Sequence, residues 1–134
     1  MQTFDTMLQT MTFDFFSTGK HKISFNDLLL EENPVFLDVR TQEEFDTLSF
    51  PLTHYLQVLQ IPIAEIPVRI QEIPKDRPVG VFCASGVRSA IAYYYLQAQG
   101  YSQVRIIEGG CAELVACLKP GMIRKQIKAR TRVQ

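Results

Sequence analysis

Cys83 is the residue of this 134-residue chain with the clearest potential for chemistry. It follows the apolar run 79–82 and precedes a loop of small residues that contains Gly86, and Arg88 lies five positions beyond it. A thiol between a strand and a helix meets the unpaired N–H groups and the positive dipole of the helix N-terminus, and both favour the thiolate. Gly86 permits the positive φ of an anion-binding loop, and Arg88 adds a permanent charge. The pattern predicts a nucleophilic thiolate at Cys83.

An unpaired cysteine is more often a small buried hydrophobe, so Cys83 alone would not establish a site. The order strand, Cys, small loop, Gly, Arg and helix makes the nucleophile the better interpretation. Cys111 follows a Gly-Gly turn and Cys117 has apolar neighbours, so we expect both to be packing residues. Cys111 could act as a resolving thiol only if the fold brings it close to Cys83.

The elements around Cys83 indicate an α/β fold. Residues 35–39, 79–82 and 104–107 form short apolar runs typical of strands buried on both faces, and residues 55–61 could hold a further short strand. The helix after the Cys83 loop is predicted to bury one apolar face: Val87, Ala90, Ile91, Tyr94, Tyr95 and Ala98, with Gly100 as its stop. Such alternation predicts a parallel sheet covered on both faces.

Helix-start signals place further short helices. Ser24 with Asp27, and Thr41 with Glu44, have the spacing of capping boxes. We also expect helices over 64–73 and 112–118. In residues 1–22 the apolar side chains recur at three- and four-residue spacing, which predicts one amphipathic helix that ends at Gly19 and packs outside the domain: Phe4, Met7, Leu8, Met11 and Phe15. Its use as a partner surface is the less favoured alternative.

The run Cys83-Ala84-Ser85-Gly86-Val87-Arg88-Ser89 resembles the active-site loop of the single-domain rhodanese-like sulfurtransferases. Supporting marks are Leu37-Asp38-Val39-Arg40 with Glu44-Phe45, and Gly100-Tyr101 with residues 104–110. The resemblance covers about residues 22–118 and implies a three-layer α/β domain with a central, mostly parallel sheet of about five strands and helices on both faces. Residues 1–21 would be an N-terminal extension, and residues 119–134 a basic tail.

The resemblance also implies a mechanism. Cys83 would take a sulfane sulfur from thiosulfate, polysulfide or a protein persulfide, hold it as a persulfide and pass it to a thiol or cyanide. The loop would bind the charged sulfur through backbone N–H groups: Ala84, Ser85, Gly86, Val87 and Arg88. Arg88 would brace the loop, and Asp38 and Arg40 would give structural support, with Arg40 paired to Glu44. Neither a metal nor an organic cofactor would be required.

Two alternatives remain beside this interpretation. Related phosphatases place five residues between Cys and Arg, whereas four intervene here, so phosphatase or arsenate reductase activity is the weaker enzyme hypothesis. The stretch between Cys83 and Arg88 contains no other cation, so attraction for a dianion such as thiosulfate would be modest. The second alternative is therefore a sulfur-carrier or adaptor module that presents Cys83 to a protein donor or acceptor without rapid turnover.

Composition excludes several classes of protein. Equal numbers of basic and acidic residues, 14 of each, argue against a globally basic nucleic-acid binder. No apolar run approaches the ~18 residues of a membrane span, and no signal peptide is evident, so we expect a cytoplasmic protein. We expect His21 on the surface and His54 on the surface or behind the site, with neither acting as the base for Cys83.

The zero net charge is a cancellation. Six of the 14 basic residues and no acidic residue lie in 119–134, so the first 118 residues carry eight basic against 14 acidic side chains. The basic residues of this tail are Lys119, Arg124, Lys125, Lys128, Arg130 and Arg132. We expect the tail to lie against its own acidic domain, with a docking role as the less favoured alternative.

Overall fold

The structure is a computed structural model, and it describes residues 2–119 and 121. Its centre is a five-stranded sheet in the order β1-β5-β4-β2-β3, in which every pairing is parallel. The strands are β1 (Lys22–Ile23), β2 (Val35–Asp38), β3 (Gln57–Gln60), β4 (Val79–Phe82) and β5 (Val104–Ile107). The predicted α/β class is therefore confirmed, and the sheet is wholly parallel.

The central strands β2 and β4 are buried along their whole length. In β2, Val35 and Leu37 join one apolar cluster while Phe36 joins another, because successive side chains of a strand point to opposite faces. The same alternation places Cys83 in the cluster that contains Leu37. A sheet buried on both faces explains why these strands are continuous apolar runs in the sequence.

Helices cover both faces of the sheet. They are α1 (Phe4–Gln9), α2 (Phe13–Thr18), α3 (Phe25–Leu29), α4 (Gln42–Thr47), α5 (Ile66–Arg69), α6 (Val87–Ala98) and α7 (Gly110–Cys117). Buried residues of α5 and α6 pack in the cluster that contains Cys83, and those of α3 and α7 pack in the opposite one. Both predicted N-caps exist: Ser24 caps α3, and Thr41 with Glu44 forms a complete capping box on α4.

The predicted helix over 64–73 is wrong in detail. A 3₁₀ turn at Ile63–Glu65 leads into α5, and a second at Ile70–Glu72 follows it. Pro67 lies in the first turn of α5, where its missing N–H removes no helical hydrogen bond. The strand β1 was not predicted, because two residues are too few to produce a periodic pattern.

The predicted buried face of α6 is right only in part: Ala90, Tyr94 and Tyr95 are half-buried against the cluster that contains Cys83. Ser89, Ala92, Tyr93 and Leu96 are buried, whereas Val87 and Ile91 of the predicted face are exposed. The predicted face and the observed buried face are neighbours on the helix. The observed face contains Ser89, and a polar residue type argues against burial, so the sequence favoured the wholly apolar face. The correction matters because the exposed apolar residues lie next to the Cys83 loop.

The single N-terminal helix is also a wrong prediction, since α1 and α2 are separate. The Thr10 hydroxyl donates to the Met7 carbonyl at 2.7 Å, and the Thr10 N–H bonds the last carbonyls of α1, so the helix ends there. Gly19 ends α2 with φ +62°, as predicted. Met7 is buried, but Phe4 and Leu8 of the predicted face are exposed.

Among residues 2–119 and 121, no helix is long and apolar enough to cross a membrane. The prediction for the basic tail concerns residues 119–134, and all its basic residues except Lys119 lie outside the described residues.

Candidate active site

The Cys83 thiol lies directly after β4, beneath the loop that leads into α6, and its side chain is buried. Its Sγ accepts N–H hydrogen bonds from Gly86 at 3.0 Å and from Ser89 at 3.3 Å. Gly86 has φ +96°, a left-handed conformation that turns the chain back over the sulfur. The short loop thereby directs two backbone donors, from Gly86 and Ser89, at one atom.

Ser89 also belongs to this site; the sequence placed it at the end of the run that resembles the active-site loop but predicted no role for it. It is fully buried at the start of α6, and its hydroxyl oxygen lies 3.4 Å from the Cys83 sulfur, whose thiol donates to it. The Ser89 hydroxyl in turn donates to the Gly86 carbonyl at 3.0 Å. The available signal was its position six residues after the cysteine, within the first turn of the helix that the loop enters.

Two opposing effects set the pKa of the Cys83 thiol. Burial acts to raise it. The Ser89 hydroxyl accepts from the neutral thiol but can rotate to donate to the thiolate, and this hydrogen bond and those from the N–H groups of Ser89, Ser85 and Gly86 act to lower the pKa. The hydrogen bonds prevail, so the pKa is lowered from the ordinary value of a cysteine. At neutral pH a larger fraction of Cys83 is therefore present as the thiolate, which is the nucleophilic form.

Arg88 is held by Glu44 through two parallel hydrogen bonds, 2.6 Å from Nη1 to Oε1 and 2.9 Å from Nη2 to Oε2. The pairing lowers the pKa of Glu44 to about 2, mainly through the hydrogen bond from Arg88 and then through that from the Thr41 N–H. The same carboxylate caps α4, so the capping box positions it for Arg88. Arg88 thus fixes the loop to α4.

The predicted pairing of Arg40 with Glu44 is wrong. Arg40 pairs instead with Asp38, with Nη2 2.7 Å from Oδ2, and both side chains are buried. Asp38 also accepts the backbone N–H of Arg40 at 3.0 Å, and the guanidinium lies 5.3 Å from the Phe82 ring centroid. At the end of β2, the guanidinium of Arg40 thus pairs with the nearer carboxylate of Asp38 and lies over the Phe82 ring, while Glu44 faces α6.

The N-terminus of α7 borders the other side of the Cys83 loop. The Cys111 N–H donates to the Ala84 carbonyl at 3.2 Å. Gly110 has φ +58°, and a Cβ atom at this position would overlap that carbonyl oxygen. Cys111 and Cys117 are half-buried and pack against the cluster that contains Phe82, in agreement with their predicted packing role.

The remaining loop residues and the histidines complete the arrangement. Ala84 and Ser85 are exposed above the sulfur, and Val87 presents an exposed side chain beside it. His54 is exposed, as expected. The prediction for His21 is wrong: it is buried, with its ring stacked 4.5 Å from that of Phe15 because α2 covers it.

These features define a class of protein: a parallel α/β domain that holds a cysteine at the end of a central strand, within a loop of backbone N–H donors. A model of the rhodanese-like domain matches residues 24–117. The chain therefore belongs to the rhodanese-like domain family.

Relatives of the chain include several sulfurtransferases. One from Allochromatium vinosum is 42% identical over 79 residues, which are 59% of this chain and 69% of that protein. A tRNA sulfurtransferase from Haemophilus influenzae is 33% identical over 79 residues, 58% of this chain but 16% of its own length. The crystal structure of a rhodanese-like domain protein from Staphylococcus aureus is 33% identical, with a TM-score of 0.58 over 69% of this chain and 88% of that one. These likenesses support sulfur transfer in general.

Proposed function

We propose that this protein is a sulfurtransferase that carries a sulfane sulfur as a persulfide on Cys83. The observation that carries the proposal is the convergence of the Gly86 and Ser89 N–H groups on one buried sulfur, at 3.0 and 3.3 Å. Because these donors favour the thiolate, Cys83 can act as a nucleophile without a separate base. Ala84 and Ser85 are exposed in the same loop, which supports the binding of the charged terminal sulfur of a persulfide by backbone N–H groups.

The reaction is a double displacement. The Cys83 thiolate attacks the outer sulfur of the donor, a new S–S bond forms, and the donor's own S–S bond breaks with its electron pair leaving on the remaining fragment. An acceptor nucleophile then attacks the terminal sulfur of the Cys83 persulfide. That S–S bond breaks, its electron pair returns to Cys83, and the thiolate is restored. Both steps balance without an external oxidant or reductant.

The charges around the loop favour particular donors. Arg88 is paired with Glu44 and Arg40 with Asp38, so neither guanidinium is an uncompensated charge that would attract an anion. A doubly charged donor such as thiosulfate therefore gains little from them. We propose polysulfides and protein persulfides as better donors, with thiols or cyanide as acceptors.

The two ion pairs, Arg88–Glu44 and Arg40–Asp38, also support a second candidate function: a sulfur carrier that presents Cys83 to a protein partner with slow turnover. The likeness to a short part of a tRNA sulfurtransferase agrees with such a role. The carrier predicts persulfide formation with little thiosulfate:cyanide turnover, and rapid turnover with thiosulfate would count against it.

Mass spectrometry tests the central step. Protein treated with polysulfide should gain the mass of one sulfur atom, located on Cys83 by peptide mapping and released by cyanide. Cys83→Ser should gain none, whereas Cys117→Ser, a matched loss of one thiol away from the loop, should gain as much as the wild type. If Cys83→Ser gains the same sulfur, the proposed function is wrong.

A further inference from the structure

A cavity of about 730 Å³ lies directly beside the Cys83 loop. Its lining includes Ser85 and Gly86 of the loop, Phe16 of α2 and Ile91 of α6. Gly86 therefore contributes to the cavity and also donates its N–H to the Cys83 sulfur at 3.0 Å. The volume lies in the range of small-molecule sites, roughly 300–1,000 Å³. The cavity thus borders a residue that bonds the Cys83 sulfur.

The lining presents apolar side chains that the fold leaves uncovered. Phe16, Val87 and Ile91 all line the cavity and are 54%, 65% and 56% exposed. A ligand with an apolar body would remove this surface from water, which is the main source of favourable binding energy for such groups. Phe16 comes from the N-terminal extension, so residues outside the stretch matched by the family model form one wall.

His21 supplies a polar group to the same cavity. It lines the cavity and is 5% exposed, and its Nδ1 has no hydrogen-bond partner among the described residues. Burial lowers the pKa of His21, and the positive charge of Lys22 lowers it further. The His21 ring is therefore neutral at neutral pH. A buried polar atom without a partner is costly, and a ligand hydroxyl or amide that reaches this nitrogen from the cavity would satisfy it.

The charged lining residues favour an uncharged ligand body. Lys22 and Glu108 both line the cavity and have opposite charges, so their fields oppose each other. An apolar ligand with one uncharged polar group fits these walls better than an ionic one.

We propose that this cavity is the acceptor site, and that it takes a small thiol with an apolar body and an uncharged polar group bonded to Nδ1 of His21. This proposal rests on the proposed function. The acceptor thiol loses its proton to solvent, and its thiolate attacks the terminal sulfur of the Cys83 persulfide. The Cys83 S–S bond breaks, the electron pair returns to Cys83, and the acceptor leaves as its own persulfide.

The first test compares two acceptors, 2-phenylethanethiol and 2-mercaptoethanol, on protein preloaded with polysulfide sulfur, with each kcat/KM expressed per thiolate. We expect the wild type to show the higher kcat/KM with 2-phenylethanethiol. Phe16→Ala with Ile91→Ser should lower that value about tenfold, the factor produced by ~1.4 kcal/mol of lost apolar contact, and should leave 2-mercaptoethanol nearly unchanged. Val68→Ser, an exposed apolar residue away from the cavity, is the matched control. Absence of the preference in the wild type, or equal losses for both thiols, would overturn the proposal.

The second test does not depend on sulfur transfer. The methyl NMR signals of Val87 and Ile91 should shift saturably on addition of 2-phenylethanol, in the wild type and in Cys83→Ser alike. His21→Phe keeps a ring against Phe15 but removes the nitrogen, so it should weaken binding of 2-phenylethanol and leave ethylbenzene binding unchanged. The Ile91→Ser variant, which changes an exposed residue, should weaken both ligands.

The two failures are distinguishable. If Cys83 accepts no sulfur while 2-phenylethanol still shifts these methyl signals, the proposed function fails and the cavity remains a binding site. If Cys83 accepts sulfur but the methyl signals do not respond, the acceptor site is wrong and sulfur transfer stands.

Discussion

The Cys83 sulfur is both buried and surrounded by hydrogen-bond donors, and the balance of these two effects determines its reactivity. Removing a charged sulfur from water disfavours the thiolate, whereas each hydrogen bond to a charged group contributes about 1.5–3 kcal/mol. Ser89 contributes twice, through its N–H and its hydroxyl. Ser89 therefore supplies two of the four hydrogen bonds that lower the pKa of the Cys83 thiol, one from its backbone and one from its side chain.

Ser89→Ala should raise the pKa of the Cys83 thiol, because the thiolate loses the hydrogen bond from the Ser89 hydroxyl. The pH dependence of the iodoacetamide reaction measures it, since only the thiolate reacts. Ser85→Ala is the matched control, because Ser85 lowers the pKa through its backbone N–H and that group is retained. Equal titration midpoints for Ser89→Ala and the wild type would contradict the role of the hydroxyl.

At this scale the sequence indicated the candidate thiol and its loop but not the residues that surround them. Cys83, Gly86 and Arg88 could be predicted because each is an unusual type at a place where the chain must change direction. Ser89 and His21 could not, because polar types predict exposure on average and the two are buried for reasons of tertiary packing. The Arg40–Asp38 and Arg88–Glu44 pairs likewise depend on how helices and strands meet.

Between elements, α7 approaches the Cys83 loop closely. Gly110, the first residue of α7, lies against the Ala84 carbonyl, and the neighbouring Cys111 N–H bonds that same oxygen. Any side chain at position 110 would push the helix and the loop apart. The position therefore requires glycine for space as well as for backbone conformation.

Gly110→Ala should destabilise the protein by more than Gly19→Ala. The two glycines have nearly the same φ, +58° and +62°, so the left-handed strain of about 1–2 kcal/mol is common to both. A Cβ atom at Gly19 meets nothing within 4 Å, whereas one at Gly110 overlaps the Ala84 carbonyl oxygen. Urea unfolding measures the difference. Equal losses of unfolding free energy would show that strain alone accounts for both.

Elements were predicted well where one physical signal dominated. The strands β2, β4 and β5 are short apolar runs because they are buried on both faces, and α4 begins at a capping box. The face of α6 could not be predicted, because apolar residues occur around much of the helix and one side lines a cavity instead of the core. Packing, not periodicity, decides between such faces.

For the molecule as a whole, the Glu44–Arg88 pair joins α4 to α6 across 44 residues of chain. The folded-state pKa of Glu44 is about 2, below its ordinary value of 4.5. Its contribution to stability is therefore complete above about pH 4.5 and is lost as the pH falls through about 2. Since 37% of the Glu44 side chain is exposed, solvent screening limits this contribution to about 1 kcal/mol.

Between pH 4.5 and 2, the free energy of unfolding of Glu44→Gln should therefore fall by about 1 kcal/mol less than that of the wild type. Urea unfolding at a series of pH values, followed by circular dichroism, measures it. Glu43→Gln removes the neighbouring exposed carboxylate without touching Arg88 and should keep the wild-type profile. A Glu44→Gln profile as steep as that of the wild type would contradict this linkage.

The pairing of β1 with β5 has a consequence for synthesis on the ribosome. Lys22 and Ile23 pair with Ile106 and Ile107, so within residues 2–119 and 121 the first strand completes the sheet beside the last one. Closing so long a loop costs entropy before any contact is gained, and pairings between distant segments slow folding. While the chain grows, the N-terminal residues have no sheet edge to join until β5 has left the exit tunnel. Exposed apolar side chains such as Phe13 then make the nascent chain a candidate for chaperone binding during this interval.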